Sequence, residues 1–356
     1  MAIIGGGPAG STCSAFCASA GLRTLLIERE QFPREKVCGD CINPACWPVL
    51  EKLGIAERVF ELPHATLDAV EFIAIGGALA RVALPSGRYA EIAIKRSLFD
   101  HLLLVRAGEC GVDVREKTIV TALSRVDRSP AASWKISTVA KVFRSRFLVA
   151  ADGRNSTVAR LLNLLPPAGK ERVALQAHIP LPSGFGNRVV LQFLSEGYSG
   201  QAPVNNGELN VCLVSNATGM ASLKAWAAER FGLVPNQMWR TITPLARAPL
   251  PPVSNGLFLT GDAARVVEPF TGEGIFYALR SGVLAAEAIV RIARGEDRES
   301  NEQKYALEHA KMYRGRLWIN RAARRAVLAP RVASLFVHAA RISPIVLRML
   351  IGKIVR

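Results

Sequence analysis

Aromatic residues make up only 7% of the 356 residues although half of the chain is hydrophobic, so the core has to be built mainly from aliphatic side chains. Acidic residues are missing from one end. None follows Glu308, while the same stretch carries eleven lysines and arginines, and the whole chain has a formal charge of +16. Aromatic rings interleaved with basic residues, the mark of a nucleic-acid surface, are absent, and so is any recognition module, which excludes nucleic acid as a partner. No uncharged run in the basic tail reaches the roughly 18 residues that a membrane-spanning helix requires. Cysteine offers little to a metal: Cys38 and Cys41 form a Cys-x-x-Cys with Cys46 nearby, but a structural zinc site needs four ligands and no second pair stands close. A secretory signal has no room before the first strand, so reduced thiols and a cytoplasmic location are expected.

What is present starts at residue 3. Ile3 and Ile4 read as the end of a strand, Gly5 to Gly10 as G-x-G-x-x-G, and Ser11 to Ala20 as a helix. In this pattern Gly5 permits a tight turn, Gly7 lets the backbone approach a pyrophosphate, and Gly10 lets helix and strand meet closely. Pro8 and Ala9 lead into a helix N-terminus whose free N–H groups favour an anion. A second apolar run, Leu22 to Ile27, ends at Glu28, about 18 residues beyond Gly10 and near the spacing of a ribose-binding carboxylate. Together these features predict a dinucleotide site and leave open whether it takes FAD or NAD.

Farther along, a helix is expected from Pro44 to Leu53, closed by Gly54. Short strands at 69–73 and 80–84 flank Gly76-Gly77. A helix follows over 97–110, a strand at 112–114, and a β-meander over 119–123, 134–140 and 142–150. Residues 172–214 are β-rich, 220–231 helical, and a long helix runs to about Arg294. Three apolar strands end in polar glycine turns, at Gly5–Gly10, Asp152-Gly153 and Gly261-Asp262. In a parallel α/β sheet such ends share one edge, so the three turns converge on one extended dinucleotide. The basic tail reads as amphipathic helices broken near Pro330 and Pro344. It suits an anionic membrane surface, an acidic carrier protein or a helical layer on the enzyme body.

Four segments together resemble flavoproteins of the p-hydroxybenzoate hydroxylase fold, and within them the geranylgeranyl reductase family. They are Gly5 to Ser11; Phe32-Pro33-Arg34-Glu35-Lys36-Val37-Cys38-Gly39; Ala151-Asp152-Gly153-Arg154-Asn155-Ser156; and Gly261-Asp262-Ala263-Ala264 with Pro269-Phe270-Thr271-Gly272-Glu273-Gly274-Ile275. The match covers roughly residues 1–295. It implies an α/β protein: a Rossmann-like FAD-binding domain over 1–65, 90–170 and 250–298, an interleaved antiparallel β-rich substrate domain over 66–89 and 171–249, and a basic C-terminal helical segment over 299–356.

The resemblance also implies roles. Asp262, after Gly261, would hydrogen-bond the flavin ribityl chain, and Asp152 with Gly153 would lie near the pyrophosphate and a nicotinamide donor. Gly272 and Gly274, in the run from Pro269 to Ile275, would aim backbone N–H groups at the flavin ring and stabilise its reduced anion. Arg96 would face the FAD phosphates, Arg29 would follow the ribose-binding Glu28, and Cys38 with Gly39 would lie beside the isoalloxazine. Beside these stand plainer readings: Asp152 and Asp262 as helix caps, Arg96 as a solvated charge, Cys38 as a passive lining thiol. Phe193 and Tyr198 would line the substrate pocket, with Trp47 near its entrance. After Tyr198 this chain carries serine and alanine where the family has aromatics, and it lacks the Trp-x-Trp-x-Ile-Pro run of flavin halogenases.

The expected activity is an FAD-dependent oxidoreductase, with NAD(P)H or another electron donor, that reduces carbon–carbon double bonds of an apolar, isoprenoid-like or lipid substrate. A monooxygenase acting on a small aromatic or polyketide-type substrate and a non-catalytic flavin-binding protein are the alternatives. The basic residues of 309–356 would place it peripherally on the inner membrane surface or against an acidic carrier.

Overall fold

The computed structural model describes residues 1–126, 133–167, 172–267, 272–314 and 329–342. Two large sheets organise them. The first has six strands in the order Val253–Ser254, Leu257–Leu259, Leu148–Ala150, Ala2–Ile4, Leu25–Ile27 and Asp113–Arg115, parallel except at the Val253–Ser254 edge. Its central strands are three residues long and buried along their whole length, as expected for parallel strands covered on both faces. Ile3, Val149 and Phe258 stand in register and face the helices Pro8–Ser19 and Gly274–Ala293, through Ala9, Cys13, Leu284 and Ala285. Ile4, Leu148, Ala150 and Leu257 face the other way, onto Trp134 and Ile136 of a three-stranded antiparallel sheet. Each such aliphatic side chain contributes about 1.5–3 kcal/mol by leaving water.

The expected meander is therefore shorter than its sequence pattern. Val142–Ser145 closes the three-stranded sheet, whereas Leu148–Ala150 leaves it and enters the parallel sheet between Ala2–Ile4 and Leu257–Leu259. A continuous apolar run cannot announce where a chain changes sheets.

The second sheet has seven strands in the order Arg240–Ile242, Val173–Pro180, Glu208–Ser215, Gly197–Pro203, Arg188–Leu194, Ala69–Ile73 and Leu79–Ala83. Arg188–Leu194 runs parallel to Ala69–Ile73, and the other pairings are antiparallel. Two excursions separated by residues 84–172 of the chain thus make one sheet. Side chains alternate across it. Leu175, Val190, Leu209 and Leu213 pack under the helix Met220–Phe231. Phe72, Val82, Ala174, Tyr198 and Val214 face the opposite way.

The helix Pro330–Ile342 covers part of that opposite face, with Ala333 and Val337 buried in it and Ser334 Oγ donating to the Ile75 carbonyl at 3.4 Å. Val332, Leu335 and Phe336 are exposed on its outer side. Of the basic tail, 315–328 and 343–356 lie outside the described residues. No helix among the described residues is long and apolar enough to cross a membrane.

Candidate functional site

The glycine turn is fixed by contact rather than by flexibility alone. Gly5 has φ +105°, and a Cβ there would stand 2.5 Å from the Ala151 carbonyl oxygen. A Cβ on Gly10 would stand 1.9 Å from the Gly5 carbonyl oxygen. The turn therefore closes only with glycine at both places. The helix that follows has Gly7 at its N-cap without a side-chain cap and Pro8 at its first position, and Gly7, Pro8 and Ala9 line a cavity. Ordinary sequence reasoning missed the support behind this helix: a Cβ on Gly282 would meet the Ala9 carbonyl oxygen at 2.5 Å, so Gly282 lets the long helix press against it.

Glu28 ends its strand buried and receives two backbone donors, Gly6 N–H on Oε2 at 2.7 Å and Glu30 N–H on Oε1 at 2.9 Å. Its carboxylate is thus locked against the glycine turn. Arg29 is not at the site: its side chain is exposed and pairs with Glu30 at 3.4 Å, because residues alternate across a strand end and Glu28 takes the inward position.

The three glycine turns share one edge. Gly5 N–H donates to the Ile27 carbonyl, Ala151 N–H to that of Ile4, and Thr260 N–H to that of Ala150. Ala151, Gly153, Arg154, Thr260, Gly261 and Asp262 all line the same cavity as Gly7. Asp262 Oδ2 lies 3.3 Å from Arg154 Nη2. Asp152 takes the helix-cap reading. Its Oδ2 accepts the N–H groups of Thr157 at 2.6 Å and Val158 at 3.1 Å, which caps the helix Thr157–Leu161 together with Ser156. Burial pushes its carboxyl up against the pull of those donors.

Positive charge gathers beside the turns. Arg96 grips the fully buried Asp100 with Nε–Oδ1 at 2.7 Å and Nη2–Oδ2 at 2.8 Å, and Arg34 lies 3.2 Å from the same carboxylate. Burial opposes the charge of Arg96, but Asp100 and Cys38 outweigh it and hold the guanidinium protonated. Lys36 lines the cavity against Gly153, where a Cβ would be 3.3 Å from its Nζ. Burial first, then Arg96 and Arg34, lower its ammonium to about 8. Arg34 and Lys36 were legible only as members of the Phe32–Gly39 segment.

That segment is tied to the second sheet. Cys38, Gly39 and Cys41 line the cavity, and between them the buried Asp40, at φ +62°, points away from it. His178 Nε2 lies 2.7 Å from Asp40 Oδ2, and Asn210 Nδ2 donates to that oxygen at 2.9 Å and to the Cys38 carbonyl at 2.8 Å. Burial pushes the Asp40 carboxyl up while His178 pulls it down. Burial likewise raises the thiols of Cys41 and Cys212, which keeps both un-ionised. Among the described residues no His, Cys, Asp and Glu group could hold a metal ion.

Gly272, Gly274 and Ile275 complete this end of the cavity, at the start of the long helix, while Pro269 lies outside the described residues. The other end is apolar, with Val70, Phe72, Leu84, Leu191, Tyr198 and Val214 on its walls. The whole space measures about 260 Å³. Tyr198 lines it. Phe193 is buried in the core of that face instead. Trp47 corrects the expectation more sharply. It is fully buried, its ring stacks on Phe60 at 4.5 Å and Tyr89 at 5.6 Å, and Nε1 donates to the Ala90 carbonyl at 3.0 Å. With its ring and its one donor both satisfied, it belongs to the core. A lining residue that sequence reasoning missed is Glu91.

A helix N-terminus, glycine-only turns and a cluster of cations form a donor set for a diphosphate, and the buried Glu28 carboxylate beside them is an acceptor for a ribose hydroxyl. These features fit a bound FAD. Residues 1–181 match the FAD binding domain family. The chain is 28% identical over 319 residues to menaquinone reductase from Mycolicibacterium smegmatis, covering 81% of this chain and 75% of that protein. It is 27% identical over 316 residues to digeranylgeranylglycerophospholipid reductase 1 from Methanothermobacter thermautotrophicus, covering 83% and 78%. The flavin-dependent brominase Bmp2 superposes with a TM-score of 0.78 at 21% identity over 99% of this chain and 92% of its own, a likeness of fold.

Proposed function

The chain belongs to the FAD binding domain family, and from that premise we propose that this FAD-dependent oxidoreductase reduces carbon–carbon double bonds of an apolar, isoprenoid-like or lipid substrate. The observation that carries the reading is the continuity of the cavity. The glycine turns and cations at one end and the walls of Val70, Phe72, Leu84 and Leu191 at the other enclose the same space. The two reductases named above support it, since one of them is a digeranylgeranylglycerophospholipid reductase.

Bound FAD would supply the hydride, replenished by NAD(P)H or another electron donor. The protein does the rest. Arg34, Lys36 and Arg96 with the helix N-terminus offset the phosphate charge. Asp262 and Arg154 would hold the polar middle of the cofactor, and the backbone at Gly272 and Gly274 would stabilise charge on its ring. The apolar walls bind an alkyl chain and keep water from the transfer. The basic residues of 309–356 suit delivery from an anionic membrane surface or an acidic carrier.

The test is turnover under argon, with the FAD-loaded enzyme reduced by dithionite and a prenyl lipid added. Reduced product without oxygen is the expected result. Product that forms only in air and carries an oxygen atom from O₂ would mark a monooxygenase, and bound FAD that no donor reduces would mark a flavin-binding protein without catalysis.

A further inference from the structure

One ionisable group on the cavity wall is Glu91. Glu91 precedes the short strand Ile92–Ala93, the middle strand of a three-stranded antiparallel sheet with Cys41–Ile42 and Ala65–Thr66. Its backbone is fixed, since its carbonyl accepts Leu67 N–H at 2.9 Å. Its side chain lines the cavity. No residue among those described offers it a hydrogen bond or an ion pair. Arg96 and Arg34 are engaged with Asp100 and Arg154 with Asp262, and among the described residues no ion pair joins Glu91 to Lys36, which lines the cavity against Gly153.

We propose that Glu91 is the proton donor of the apolar chamber, giving its carboxyl proton to the substrate carbon that does not receive the hydride. This rests on the reductase reading above. In the step, the π bond of the alkene breaks and two C–H bonds form. One hydrogen arrives as hydride from the reduced cofactor, which is oxidised, and the other arrives as the proton of Glu91. Glu91 is left as a carboxylate and regains its proton from solvent.

Three observations support this assignment. An acid within an apolar chamber needs to be un-ionised to donate, and burial alone raises Glu91 to about 7. The titratable groups whose state couples to it are the thiols of Cys41 on the neighbouring strand and Cys46 on the following turn, and burial keeps both un-ionised. His178 and Asp40 are tied to each other and Glu208 to Lys95, so these groups are engaged elsewhere. Glu91 also lines the same continuous cavity as the apolar side chains Val70, Phe72 and Leu84.

The experiment compares wild type with Glu91→Gln and Glu91→Asp, each loaded with FAD and photoreduced under argon, using geranylgeraniol in detergent as the probe. Reoxidation of Glu91→Gln by the probe should slow by about 100-fold or more, the usual contribution of general acid catalysis. FAD content and the rate of reduction by dithionite should not change. The wild-type rate should fall as pH rises through neutrality, and this dependence should vanish in Glu91→Gln. Glu91→Asp, which keeps a carboxyl, should recover part of the rate. Independently of turnover, infrared titration of the FAD-loaded protein should show an un-ionised carboxyl band near neutral pH that Glu91→Gln lacks. A Glu91→Gln enzyme with the wild-type rate and pH profile, or no such band in the wild type, would overturn the role of Glu91 alone. A wild type that the probe cannot reoxidise would overturn the reductase reading and the donor role with it.

Discussion

The two ends of the cavity are built by different means. The cofactor end is made of backbone: Gly5, Gly7 and Gly10 from one turn, Gly153 from another, Gly261, Gly272 and Gly274 from a third region, with carbonyl oxygens as little as 1.9 Å from where a Cβ would stand. The apolar end is made of side chains from four strands and from Leu84 just past a fifth, where apolar residues of similar volume can exchange with little effect on the fold. Backbone that must come close to backbone dictates residue identity; a wall that must only be apolar does not. This is why the resemblance to a cofactor-binding family is plain while the substrate has to be argued.

That contrast can be broken or sharpened by substitution. Gly10→Ala should have the largest effect, costing about 3 kcal/mol or more, because the Gly5 carbonyl has nowhere to go; the purified protein should be colourless or insoluble, and a yellow, stable variant would refute the closed turn. Glu91→Gln should act in the opposite direction on stability. The native carboxyl is raised from 4.5 to about 7, so the folded state binds the proton more tightly than the unfolded chain. Its contribution is present below the unfolded value and is lost as pH rises to the folded one. Above neutrality Glu91→Gln should therefore be more stable than wild type by up to about 3 kcal/mol, and like it in acid, as read by thermal melts across pH. Asp262→Asn should weaken FAD by about tenfold, the scale of one lost charged hydrogen bond, measured by fluorescence titration. Arg29→Ala should change stability by less than about 0.5 kcal/mol and leave FAD content unaltered, since its guanidinium is outside the cavity.

How far the sequence could be read follows the same line. The first strand, its glycines, the helix and the terminal Glu28 were legible because each has a steric or electrostatic requirement that few residues meet. The helices Met220–Phe231 and Gly274–Ala293 were legible from their periodicity. Trp47 was misplaced because an indole reads the same in a pocket mouth as in a core, and only the carbonyl of Ala90, far along the chain, decides. Asp152 carried two readings because a polar turn at a strand end serves a helix cap as well as a ligand, and its bonds to Thr157 and Val158 show the cap. Gly282, Asp40 and Glu91 stood out in no local pattern. Their partners or surroundings come from elsewhere in the chain: Ala9 for Gly282, His178 and Asn210 for Asp40, and the apolar walls for Glu91.

The pairing of Arg188–Leu194 with Ala69–Ile73 has a consequence for redesign. The apolar wall of the cavity is woven from two lengths of chain, with the strand Leu148–Ala150 of the parallel sheet threaded between them in sequence. Transplanting a relative's specificity by exchanging one segment would splice a foreign edge onto a native partner and leave its hydrogen-bond ladder mismatched. Both segments have to travel together, along with the Asp40 tether that fastens the second of them, through His178 and Asn210, to the loop that carries Cys38.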